Sequence, residues 1–99
     1  MELGLKGRTA FVAAASSGIG RGVALALAAE GCDVGLCART ADTLEAVAMQ
    51  VREAGVRAVP TLADVTDAAA LREAVQATVD ATGRLDALVV SAGGPPPGV

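Results

Sequence analysis

Hydrophobic and polar positions follow two different periods along this chain, and the switching between them lays out a fold. Thr9 to Ala14 is a nearly unbroken apolar run of the kind buried on both faces of a parallel sheet, which predicts strand one. Ile19, Val23 and Leu27 then recur at helical spacing with Arg21 and Glu30 outside, predicting helix one with that stripe on the sheet and Gly31 as its terminator. Val34 to Ala38, short and apolar between Asp33 and Arg39, predicts strand two. Leu44, Val47, Ala48 and Val51 form a clean amphipathic pattern for helix two, opened by Thr40 or Asp42 and closed by Gly55. Val56 to Leu62 predicts strand three; Pro60 inside it removes a ladder donor and places the strand at a sheet edge. Helix three starts at Thr66 or Asp67, turns Leu71, Val75 and Val79 inward and Arg72, Glu73 and Asp80 outward, and ends at Gly83. Leu85 to Ser91 predicts strand four.

Strands alternating with helices, each helix closed by glycine, specify right-handed parallel crossovers and an α/β doubly wound sheet. The expected strand order is 3-2-1-4, with helices one and two on one face and helix three on the other. Ninety-nine residues suit one domain. Hydrophobic residues make up 53% and aromatic ones 1%, so the core must be built from Ala, Val and Leu. A net charge of -3 with scattered basic residues argues against nucleic acid as a partner. No apolar run approaches the ~20 residues of a membrane helix, and Met1 to Lys6 does not read as a leader, so a soluble cytoplasmic protein is expected. Cys32 and Cys37 read as reduced core or near-core residues, and with no His there is no plausible metal site. Residues 93–99, rich in Gly and Pro, read either as an extended tail or as a ligand-side loop.

The candidate chemistry lies where strand one runs into helix one. Ala14, Ser16, Ser17, Gly18, Ile19 and Gly20 form a small-residue turn at which backbone can approach a ligand, and the free N–H groups of the helix start attract anions. Ser16 and Ser17 would add hydroxyl donors, and Ile19 would seat the helix on the sheet. The strict Gly-x-Gly-x-x-Gly fingerprint is not met, because Val23 stands at the third glycine. Arg39, closing strand two, is suited to a 2′-phosphate, where an acidic residue would select ribose hydroxyls; Thr40 would add a hydroxyl and an N–H. Asp64, after strand three, reads either as a nucleotide contact or as a turn carboxylate.

In these motifs the chain resembles the amino-terminal half of a classical short-chain dehydrogenase/reductase, from Leu5 to Gly98. The family's Thr-Gly-x-x-x-Gly-x-Gly turn matches Ala13 to Gly20, its Asp-Val pair matches Asp64-Val65, and its Asn-Asn-Ala-Gly segment matches Val90-Ser91-Ala92-Gly93. The leading Thr-Gly is replaced by Ala13-Ala14 and the two Asn by Val90 and Ser91; the Gly-Gly-Pro-Pro-Pro-Gly run resembles an atypical subgroup. The resemblance implies a truncated Rossmann-type fold and a nicotinamide dinucleotide cofactor, NADP by virtue of Arg39 in preference to NAD. It further implies that Asp64 and Val65 serve the adenine, and that Ser91, Ala92 and Gly93 approach the cofactor ribose. The family's reduction of a carbonyl, or oxidation of an alcohol, depends on a Ser and a Tyr-x-x-x-Lys pair. This chain has no Tyr, no His and only Lys6 as lysine, so no catalytic residue is assigned and no turnover is expected from it alone. The alternative is a non-catalytic dinucleotide-binding or interaction module. In either case the bare edge of strand four predicts self-association or a complementary chain.

Overall fold

The computed structural model describes residues 4–14 and 18–90. Seven elements alternate: β1 (Thr9–Ala13), α1 (Gly18–Ala29), β2 (Asp33–Ala38), α2 (Ala41–Glu53), β3 (Ala58–Leu62), α3 (Ala68–Thr82) and β4 (Ala87–Val90). The strands pair in parallel in the order β3-β2-β1-β4, the doubly wound Rossmann-type arrangement that the alternation predicts. Pro60 lies in the edge strand β3, as expected. Boundaries move slightly: β1 stops at Ala13, β3 begins at Ala58 and β4 at Ala87. The expected end of strand four at Ser91 and the Gly/Pro-rich segment lie outside the described residues.

Register produces a core on each face of the sheet. Val12 lies opposite Leu36 and Phe11 opposite Gly35, and successive strand residues point to opposite faces. On one face Val12, Val34, Leu36 and Ala38 pack with Ala24 and Ala28 of α1 and with Leu44, Val47, Ala48 and Val51 of α2. On the other, Phe11, Ala13 and Cys37 pack with Ala63 and with Ala74 of α3. Both cysteines are buried and free, and burial pushes both thiols up.

The helices meet the sheet through smaller side chains than the hydrophobic periodicity predicts. Ile19, expected inward, is 75% exposed, whereas Gly20, Ala24 and Ala28 are the buried positions of α1 and Val23 and Leu27 flank the core. In α3, Ala74 and Thr78 are fully buried, with Leu71 and Val75 at the margin of the core. The reason is packing distance: a stripe of small residues lets the helix axis approach the strands, and bulky neighbours then fit only alongside. Thr78 escapes a hydropathy reading because it is polar; its hydroxyl donates to the Ala74 carbonyl at 3.2 Å, which offsets the cost of burying it. Beneath it β2 carries Gly35, at which a Cβ would lie 2.6 Å from Thr78 Cγ2 and 2.8 Å from its Cβ.

The helix ends follow the polar residues. Asp67, one of the two expected starts of α3, caps it by accepting from the Ala69 and Ala70 N–H groups at 3.1 Å each. Thr40 occupies the corresponding position of α2 but makes no side-chain cap; instead the Thr43 hydroxyl lies 3.0 Å from its Oγ1. Gly31, Gly55 and Gly83, which follow the three helices, all have positive φ.

At the amino-terminal end of the sheet, Asp86 ties β1 to β4. Its carboxylate accepts both guanidinium prongs of Arg84 at 2.7 Å and the Thr9 N–H at 2.8 Å, with Arg8 at 3.4 Å. These bonds, those from Arg84 foremost, hold the carboxyl far below the usual carboxylate range. A folded-state value below the unfolded one means that the contribution is complete above about pH 4 and is lost as acid approaches the folded value. We therefore expect urea midpoints to fall progressively below about pH 4, and Asp86→Asn both to lower the midpoint at pH 7 and to flatten that acid limb. Parallel acid limbs for the two proteins would contradict this.

Candidate functional site

All the described site residues lie at the carboxyl end of the sheet, because every strand runs the same way. β1 ends at Ala13, beside Val90 at the end of β4, and β2 ends at Ala38, beside Leu62 at the end of β3. The chain leaves β1 through Ala14, whose φ is 57°, and enters α1 at Gly18. Gly18 and Ile19 are exposed, and a Cβ built on Gly18 would meet no atom within 4 Å. At the start of α1 the exposed Gly18 and the apolar side chain of Ile19 therefore lie at the surface, and a helix start of this kind suits an anionic ligand with apolar parts. Ser16 and Ser17, the two expected hydroxyl donors, lie outside the described residues, as do Ser91, Ala92 and Gly93.

Arg39 and Thr40 follow β2 directly and are exposed. The neighbouring strand end is fastened to them, since the Ala63 N–H donates to the Ala38 carbonyl at 3.0 Å. That bond holds Asp64 on the same rim. The Thr66 N–H and hydroxyl donate to Asp64 Oδ1 at 2.9 and 2.8 Å, and the Asp67 N–H donates to the Asp64 carbonyl at 2.9 Å. These Thr66 bonds, and more weakly the charge of Arg39, lower the Asp64 pKa. The turn reading of Asp64 is thus what the structure shows for Oδ1. Val65 turns inward, packing against the core under α3.

Two contributors escaped the sequence reading. Thr66 enters it only as a possible helix start, yet it orients the Asp64 carboxylate; the Asp-x-Thr spacing, which favours a side-chain-closed turn, is the signal that could have found it. Cys37, read only as a core residue, has its thiol bonded to the backbone of Ala14 beneath the turn. That pairing is invisible in sequence, because it depends on the β1–β2 register. A cleft of about 310 Å³ opens at the opposite end of the sheet, lined by Leu5, Arg8, Thr9, Leu27 and Asp86 among others. It contains none of the site residues, and its two charged groups already bond each other. Among the described residues no helix is long and apolar enough to cross a membrane.

Comparison with known proteins agrees with this geometry. A cyclohexanol dehydrogenase from Rhodococcus sp. (strain TK6) is 43% identical over 105 residues, covering 94% of this chain and 39% of the relative. Among solved structures, a short chain dehydrogenase from Mycobacterium paratuberculosis bound to NAD superposes with a TM-score of 0.87 at 34% identity, covering 94% of this chain and 39% of that one. Carveol dehydrogenase from Mycobacterium avium in complex with NAD gives a TM-score of 0.84 at 33% identity, covering 89% and 36%. The chain spans about two-fifths of the length of each of these proteins. The family model for short chain dehydrogenase matches residues 8–99, nearly the whole sequence, and the chain belongs to that family.

Proposed function

We propose that this chain is the cofactor-binding part of an NADP(H)-dependent short-chain oxidoreductase acting on a carbonyl or alcohol substrate, with the catalytic groups supplied from outside these 99 residues. The observation that carries the reading is the convergence of the α1 start, Arg39 and Asp64 on one rim of a parallel sheet, where such sheets bind ligands. In this reading Ala14 and the segment Ser16, Ser17, Gly18, Ile19 and Gly20 receive the pyrophosphate. Arg39 and Thr40 take the 2′-phosphate, Asp64 and Val65 the adenine, and Ser91, Ala92 and Gly93 the ribose. The bound nicotinamide supplies or accepts the hydride. Two of the superposed relatives are bound to NAD, so the preference for NADP rests on Arg39, which is exposed on the rim where a guanidinium can fork onto a phosphate. The reduced thiols of Cys32 and Cys37 suit the cytoplasm.

Arg39→Asp tests the cofactor choice. Loss of a charge-assisted pair and gain of a like charge should weaken NADP binding by about 10- to 100-fold while NAD binding changes far less. Fold should survive, because Arg39 lies beyond the end of β2 and is exposed. Calorimetric titration of both cofactors reads the ratio, and an unchanged ratio removes Arg39 from the assignment.

A second reading is favoured by β4, where Leu88 and Val90 are 55% and 57% exposed on an edge strand that carries neither proline nor charge between Ala87 and Val90. It makes the chain a non-catalytic dinucleotide-binding or interaction module that pairs with a copy of itself or with a complementary chain along that edge.

A further inference from the structure

The cleft at the amino-terminal end of the sheet, of about 310 Å³, lies at the lower end of the roughly 300–1,000 Å³ that ligand pockets occupy, and so suits a small molecule. Its walls are mostly apolar: Ala10 and Ala87, opposite each other in the β1–β4 register, with Leu27 of α1 and Leu5 ahead of β1. The charged residues of the lining are Arg8 and Asp86. They are not equally engaged. Asp86 accepts both prongs of Arg84 at 2.7 Å and the Thr9 N–H at 2.8 Å, so its charge is answered without Arg8. Arg8 reaches Asp86 only through Nη1 at 3.4 Å and donates from Nε to the Gly4 carbonyl at 3.3 Å, with its side chain 52% exposed. Neither contact approaches the roughly 2.7–2.9 Å of a strong charge-assisted bond. Arg8 and Arg84 against Asp86 leave one net positive charge, and the weakly held cation is the one that borders an apolar space.

We propose that this cleft binds a small carboxylate with a hydrocarbon chain, the carboxylate forking onto Arg8 and the chain lying against Leu5, Leu27 and Ala87. A single negative charge matches the single net positive charge, whereas a phosphate dianion would exceed it beside the Asp86 carboxylate. The site stands at the opposite end of the sheet from Arg39 and Asp64 and does not depend on the cofactor-binding reading.

The test is titration of the isotope-labelled full chain with octanoate, followed by amide shifts. Octanol, which has the chain without the charge, and acetate, which has the charge with hardly any chain, are the other probes. Octanoate should saturate one site, moving the signals of Leu5, Arg8, Leu27 and Ala87 and leaving those of Ile19, Arg39 and Asp64 in place. Octanol and acetate should each bind about tenfold more weakly or less, and Arg8→Gln should weaken octanoate by about tenfold or more. The fold of that variant should survive, because the Arg8 side chain is half exposed and Asp86 keeps Arg84. Ala87→Leu, which leaves Arg8 in place and adds bulk at an exposed wall residue, should weaken octanoate as well and decides the matter if Arg8→Gln does not fold. Octanol binding as tightly as octanoate overturns the proposal, and so do variants that bind octanoate as the parent does. Absence of saturable shifts, or shifts confined to Ile19, Arg39 and Asp64, overturns it too, the latter by placing the anion at the other end of the sheet.

Discussion

Replacing Phe11 with alanine should destabilise the protein by about 4 kcal/mol, a large share of the roughly 5–15 kcal/mol that holds a domain of this size together. Phe11 is the sole aromatic residue of the chain and is fully buried on the α3 face of the sheet. Its buried neighbours there, Ala13, Cys37, Ala63 and Ala74, are all small. The ring therefore fills most of that core, and none of the four can move a long side chain into the space it would leave. The surrounding Val65, Leu71 and Val75 are anchored at the margin and can collapse only partly. Urea unfolding followed by circular dichroism checks this, since the chain has no Trp or Tyr to report by fluorescence. Phe11→Leu, which keeps most of the volume, should lose less than half as much. Equal losses for the two variants would show that the aromatic ring, and not volume, is what this core requires.

Gly35→Ala should cost about 3 kcal/mol, although it adds a single methyl group. The added carbon would fall within 3 Å of three side-chain atoms of Thr78, and Thr78 is fully buried, so no exposed end can swing away. Relief would require α3 to lift from β2, which would open the core around Cys37 and Ala74. The double variant Gly35→Ala with Thr78→Ala should recover part of the loss, because Oγ1 and Cγ2 are removed while the Cβ contact at 2.8 Å stays. A Gly35→Ala protein as stable as the parent would contradict this interlocking of Gly35 with Thr78. The consequence reaches the site, since α3 and the turn at Asp64 are joined through Thr66 and Asp67.

How legible the site was differs from residue to residue. The position of Arg39 and Asp64 on one rim was legible because each follows a strand whose end is marked by a change from apolar to polar residues, and parallel crossovers bring such ends together. Ile19 was misplaced: the periodicity of Ile19, Val23 and Leu27 puts it on the sheet, but Gly20, Ala24 and Ala28 take that place and leave it 75% exposed at the site. Hydropathy ranks large apolar residues as inward and is blind to how near the helix comes. The strain at Ala14 was likewise out of reach, because a sequence shows an alanine where the family turn has glycine but not the φ of 57° that makes the exchange costly.

The sequence by itself determined the element order, the parallel sheet with β3 at its edge, the segregation of α1 and α2 from α3, and the rim on which the candidate residues meet. These follow from local information, since hydrophobic period, glycine terminators and proline position act over a few residues, and crossover handedness then leaves one economical topology. Only the tertiary structure decided which helical stripe touches the sheet, that Thr78 and Gly35 interlock, that Thr66 orients Asp64, and that Asp86 clamps β1 to β4. Each of these depends on distances between segments far apart in the chain. They are set by close packing and by the pairing of buried polar groups, neither of which is written in the pattern of any one segment.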